Sequence, residues 1–235
     1  MSRLVLVATF LFISMSALAQ DAAGLIRLAD EKNYTPRAKG LRDLVVDLVS
    51  PQLTKQLNDQ LIFGHVSEAI FRIYWTAEPE RVDMDIVGLP AGFNEIKEEL
   101  KASMIGKLET VIPLQLSKRL SAYKFRTEPA KPGVVIASDS TNQMPITEFE
   151  MTFAKTGVIE KLVGKKPVGI VTTTYKYAQE SWSDPRLVLV ATVTKVEDGP
   201  RTIVTNTEIS YLVTAGMGLP SVLKTESKQT IKAVL

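Results

Sequence analysis

Two pairs of carboxylates are the residues best spaced for acid–base chemistry. Asp83 and Asp85 alternate along one segment and Glu148 and Glu150 along another; residues two apart on a strand stand roughly 7 Å from each other. Separations of that order occur between the acid and base of glycosidases. Both pairs, however, occupy the polar positions of alternating segments, the solvent side of a strand, with no aromatic sugar platforms around them. The single histidine, His65, follows Gly64 and precedes a β-rich run. One imidazole and no cysteine supply neither a structural zinc ligand set nor the machinery of a Ser-His-Asp triad, and no G-x-S-x-G elbow occurs. Gly216-Met217-Gly218 opens like a dinucleotide loop, but Leu219-Pro220-Ser221 leads into a strand. A phosphate cradle needs a helix N-terminus there. The expectation is a protein that is not an enzyme, with no catalytic residues, no cofactor and no metal.

Charge and the N-terminus set the surroundings. The formal net charge is +2, too little to draw in a phosphate backbone, so nucleic acid is not an expected partner. Lys155, Lys161, Lys165 and Lys166 form the nearest thing to a basic cluster, which reads as a sheet edge guarded by lysines. The opening MSRLVLVATFLFISMSALA places Arg3 before an apolar run, Leu4 to Ile13, and small residues at Ala17 and Ala19. That is the layout of a secretory signal peptide, residues 1–19, cut after Ala19. Its apolar run is shorter than the about 20 residues that cross a bilayer. The expected compartment is the periplasm, with a soluble chain held by core packing, since it has no cysteine for a disulfide or for acylation.

The elements that must position any site are mostly strands. Asp21 is a candidate N-cap for a helix to Lys32 that carries Leu25, Ile26, Leu28 and Ala29 on one face. Leu41 to Val49 reads as a strand stopped by Pro51, and Gln52 to Ile62 as a short helix or a long connection. Phe71, Ile73 and Trp75 alternate with polar or mixed neighbours; after the Glu78-Pro79-Glu80 turn, Val82, Met84 and Ile86 alternate with Asp83 and Asp85. Helical spacing then places Ile96, Leu100, Met104 and Leu108 on one side of a helix over 94–112, with Asn94 as its cap. Strands follow near 123–127, 134–137, 147–153, 158–163, 168–177, 187–196, 202–213 and 222–228, joined by short turns, so they pair antiparallel.

This predicts an α+β fold: about nine strands in one strongly curved antiparallel meander, a half-barrel covered by the N-terminal helix and the inserted helix. Residues 20–235 form a single domain, with the helical insertion at about 94–112. A sheet that long has more inner face than two helices can cover. The remainder is expected to be an apolar cavity, the usual form of a lipid or small-molecule site. Its candidate ligand-binding residues are Trp75, Met84, Phe149, Met151, Phe153, Tyr175 and Tyr211, with Tyr177 beside them.

One family shares this arrangement. The stretch Ile70-Phe-Arg-Ile-Tyr-Trp-Thr-Ala-Glu-Pro-Glu-Arg-Val-Asp-Met-Asp-Ile-Val-Gly88 resembles the aromatic strand, proline turn and alternating strand of periplasmic lipoprotein carriers of the LolA type and the related LppX/LprG and RseB/MucB proteins. Phe149-Glu-Met-Thr-Phe-Ala-Lys-Thr-Gly-Val-Ile-Glu-Lys-Leu162 is similar to that superfamily's later hairpin. The order of elements agrees over most of residues 21–228. The chain departs from the pattern at Glu78, where the carriers have a basic residue, and in the helix 94–112, which replaces a strand pair. The resemblance implies a carrier that holds a lipid or lipoprotein acyl chain in the concave face and needs only burial, at about 0.8 kcal/mol per CH2. The alternative is an envelope interaction or sensing module on the same fold, with a protein of the envelope as its partner.

Overall fold

The computed structural model describes residues 21–61, 64–141 and 143–231. The signal peptide expected over residues 1–19 and the side chain of Leu108 lie outside the described residues. Helix α1 (Ala22–Lys32) begins as its sequence predicts: the Asp21 side chain accepts from the Gly24 N–H, and Leu25, Ile26 and Ala29 are buried along one stripe. A 3-10 turn over Pro36–Lys39 leads to β1 (Asp43–Val49). Helix α2 (Pro51–Gln60) follows at once because the Ser50 hydroxyl accepts from the Leu53 N–H and Pro51 takes a position that needs no donor. The hairpin β2 (Ile70–Ala77) and β3 (Glu80–Val87) completes a three-stranded sheet in the order β1-β2-β3.

Helix α3 (Lys97–Val111) and the short α4 (Leu116–Arg119) separate this sheet from a second one. The second contains β4 (Tyr123–Thr127), β5 (Val134–Asp139), β6 (Glu148–Phe153), β7 (Ile159–Lys165), β8 (Ile170–Gln179), β9 (Leu187–Asp198), β10 (Arg201–Thr214) and β11 (Met217–Ile231). All its neighbours are consecutive and antiparallel, with β4 and β11 at the edges. The fold is therefore mostly antiparallel sheet with a few helices, and neither sheet closes on itself.

Three expectations change. The single meander of about nine strands is, among the described residues, eleven strands in two sheets, with no ladder joining β3 to β4 across the helical insertion. The helix expected from Asn94 starts later: Pro90 caps a 3-10 turn over Ala91–Ile96 instead, and buried Phe93 ties that turn to Leu57, Val66 and Ala69. The turn expected between the strands 202–213 and 222–228 tightens to Ala215 and Gly216, so β11 begins at Met217 and contains Pro220. Proline is tolerated there because β11 is an edge strand with no ladder to donate to on its outer side. A bulge between Ser210 and Tyr211 absorbs the extra residue.

Two large cores hold these layers. Leu25, Ile26 and Ala29 of α1 pack with Tyr123, Val135, Ala137, Phe149, Met151, Phe153 and Ile159. Phe71, Ile73, Trp75, Met84 and Ile86 of the small sheet pack with Leu41, Val111 and Ile112, and Met217 and Leu219 of β11 join from the large sheet. The chain after α1 clips the large sheet together. The Tyr34 N–H donates to the Leu187 carbonyl at 2.8 Å, and its hydroxyl donates to the Gly218 carbonyl at 3.0 Å and accepts from the Gly218 N–H at 2.9 Å. Trp182 lies against Tyr34 edge-on, with ring centroids 4.9 Å apart. Only a glycine fits beneath it, since a Cβ at position 218 would come within 2.2 Å of the indole.

Candidate binding site

The inner face of the large sheet changes chemistry along a single cross-strand row. Val135, Met151 and Leu162 stand opposite one another on β5, β6 and β7, and the same row continues as Thr173, Thr194, Thr205 and Ser227 on β8 to β11. Residues in register share a face. Val135 and Met151 are fully buried under α1, while Ser227 is exposed. Neighbouring hydroxyls pair along the row, Thr173 with Thr194 at 3.1 Å and Thr205 with Ser227 at 2.9 Å. The part of the face that α1 does not reach therefore carries groups that water can satisfy. The apolar surplus expected from the strand count shrinks to the boundary between the two regions.

At that boundary lies a pocket of about 130 Å³. Its walls are Leu187 and Leu189 of β9, Tyr175 and Tyr177 of β8, Pro113 and Leu114 between α3 and α4, and Leu116 and Arg119 of α4. The start of α4 is held down by Asp30 of α1, whose carboxylate accepts from the Leu116 N–H at 2.5 Å, the Ser117 N–H at 3.1 Å and the Ser117 hydroxyl at 2.7 Å. Those bonds fix the 116–117 stretch beside the pocket. The rings of Tyr175 and Tyr177 stack with centroids 6.5 Å apart. Burial pushes both phenols above the ordinary tyrosine range, so they are neutral hydrogen-bonding groups. In the same wall the Asn33 Oδ1 is buried without a hydrogen-bond partner among the described residues.

A second cleft, of about 660 Å³, adjoins the first, and Asp30 and Thr35 belong to the walls of both. Arg27, Arg37, Arg42 and Arg186 line it, against Asp30 and Glu31. Arg37 is fixed: it donates to Glu80 at 2.8 Å and covers the Trp75 ring at 5.4 Å. Arg27 and Arg42 are held loosely, in exposed pairs with Glu31 at 3.9 Å and Glu78 at 3.2 Å.

The residues expected to line one cavity are divided by the two cores. Trp75 and Met84 are buried in the small-sheet core, and Phe149, Met151 and Phe153 in the core beneath α1. Tyr175 packs against the latter core and also faces the pocket. Tyr211 sits beside Trp182, and its hydroxyl donates to the Leu189 carbonyl at 2.8 Å. Burial raises its phenol as well. The carboxylate pairs lie outside these walls, each with a cation: Asp83 with Arg81, Asp85 with Lys97, Glu148 with Lys165 and Glu150 with Lys131. His65 is exposed in the loop before β2. Among the described residues no group of three histidine or acidic side chains could hold a metal ion, and no helix is long and apolar enough to cross a membrane. No family model matches this chain, nor does any curated protein or solved structure.

Proposed function

We propose that this protein is a periplasmic binding protein that takes up a lipid or lipoprotein acyl chain, with the large sheet as a half-barrel and α1 with the 113–119 stretch as its lid. The observation that carries the reading is the pocket between Leu114, Leu116, Leu187 and Leu189, beside a stretch held by a few hydrogen bonds to Asp30. Its 130 Å³ is below the about 300–1,000 Å³ of ordinary ligand sites, so a chain enters only as the lid lifts. Ten methylenes leaving water contribute about 8 kcal/mol, near the free energy of a micromolar complex before ordering costs are met. The resemblance to lipoprotein carriers supports the same class of ligand. The test is mass spectrometry of organic extracts from the protein exported in its own cell type, together with uptake of a labelled fatty acid from vesicles. A stoichiometric lipid and saturable uptake are expected; clean extracts with no uptake would remove the proposal.

One observation favours a second reading. Five of the seven expected cavity residues are packed into filled cores, as suits an envelope interaction or sensing module whose rim contacts another protein. That reading predicts a specific partner on crosslinking in the envelope and a chain whose unfolding midpoint is unchanged by removal of lipid.

A further inference from the structure

The geometry points to an anionic amphiphile as the ligand: its acyl chain enters the apolar pocket while a carboxylate or phosphate a few atoms away sits in the arginine-lined cleft. The inference rests on the binding reading above and names the chemistry of the other end of the ligand. Three observations carry it. The cleft and the pocket share Asp30 and Thr35, so a molecule spanning that short wall touches both. Four guanidinium groups line the cleft, and one of its two carboxylates, Asp30, is already taken up by three donors of the 116–117 backbone and Ser117. Glu78 and Glu80 pair with Arg42 and Arg37 from outside the lining.

The cations differ in availability. Arg186 donates its Nε to the Glu31 carbonyl at 3.1 Å, and among the described residues its terminal nitrogens have no other partner. The Arg27–Glu31 and Arg42–Glu78 pairs are exposed on both sides, and such pairs stabilise little. An entering anion can therefore recruit Arg27 and Arg42 at small cost and gain the two-pronged contact that guanidinium groups make with carboxylate or phosphate.

N-dodecanoylglycine has both features, the chain and the charge, and three probes separate them: this acid, its neutral glycinamide, and N-acetylglycine, which has the charge without the chain. Calorimetric titration of the mature protein below the micelle concentration is expected to show the acid binding about tenfold or more tighter than the glycinamide. The double variant R27Q/R42Q should reduce that preference, with Arg186 left to hold the remainder, and the triple variant R27Q/R42Q/R186Q should abolish it. Equal binding of acid and glycinamide to the unaltered protein would overturn the inference and leave the binding reading standing. Absence of binding by either dodecanoyl probe would overturn both. N-acetylglycine binding as tightly as the acid would overturn it differently, making the cleft an anion site independent of the pocket.

Discussion

Replacing Tyr34 by phenylalanine removes one oxygen atom and, with it, a link between the segment after α1 and the edge strand β11. The Tyr34 hydroxyl makes both of its hydrogen bonds to a single residue, Gly218, and both residues are buried. In phenylalanine the ring and its edge contact with Trp182 survive, but a buried N–H and a buried carbonyl on β11 lose their partner. Leaving one such group unsatisfied costs about 1–3 kcal/mol, so two give about 2–4 kcal/mol after local relaxation. Urea unfolding should show a lowered midpoint with an unchanged slope, because the surface exposed on unfolding is the same. Amide exchange at Gly218 should accelerate alongside. A loss below about 0.5 kcal/mol, with Gly218 exchange unaltered, would refute the view that this hydroxyl closes the sheet edge.

Three further perturbations probe the clasp and the loops. Asp30→Ala removes the acceptor of the Leu116 and Ser117 amides; exchange at both should quicken tenfold or more, for a local loss of about 1–3 kcal/mol, and fatty-acid uptake should become faster. Gly218→Ala drives a methyl into Trp182, so overpacking of about 1–3 kcal/mol is expected, visible as a changed near-ultraviolet dichroism of the indole. Asp139 accepts from the Thr141 hydroxyl at 2.7 Å, the Thr141 N–H at 2.8 Å and the Met144 N–H at 2.9 Å, which lowers its carboxyl to about 2 from the ordinary 3.8. A folded-state pKa below the unfolded one stabilises above the unfolded value and is lost as pH falls from about 4 to about 2. Asp139→Asn should flatten the acid limb of the stability curve over that window, and an unchanged limb would contradict the assignment.

Local signals in the chain foretold the elements well. The Asp21 cap, the strand stop at Pro51 and the alternation of Phe71, Ile73 and Trp75 all act between near neighbours, and each appears in the fold. Boundaries moved where tertiary packing competes: Phe93 docks on the Leu57 cluster and draws the helix start from Asn94 to Lys97. The division into two sheets was not legible, because it depends on which strand lies beside which, and alternation reports only a buried face. The same blindness scattered the expected cavity. Trp75 and Phe149 carry identical signals, an aromatic at an inward strand position, yet they belong to different cores. Leu114 and Leu116, which line the pocket, follow the helix-ending Pro113 at alternating positions, a signal too short to separate from a turn. The hydroxyl row was not legible either, because only the register sets Thr173, Thr194, Thr205 and Ser227 side by side.

The claim that a chain is buried between the lid and the sheet is tested most directly by a fatty acid with a photoreactive group at its tail. After irradiation and digestion, peptide mass spectrometry should find the label within 113–119 and 175–189, the segments that carry Leu114, Leu116, Tyr175, Leu187 and Leu189. Label spread over the exposed strands β10 and β11, or saturating no single site, would contradict the account.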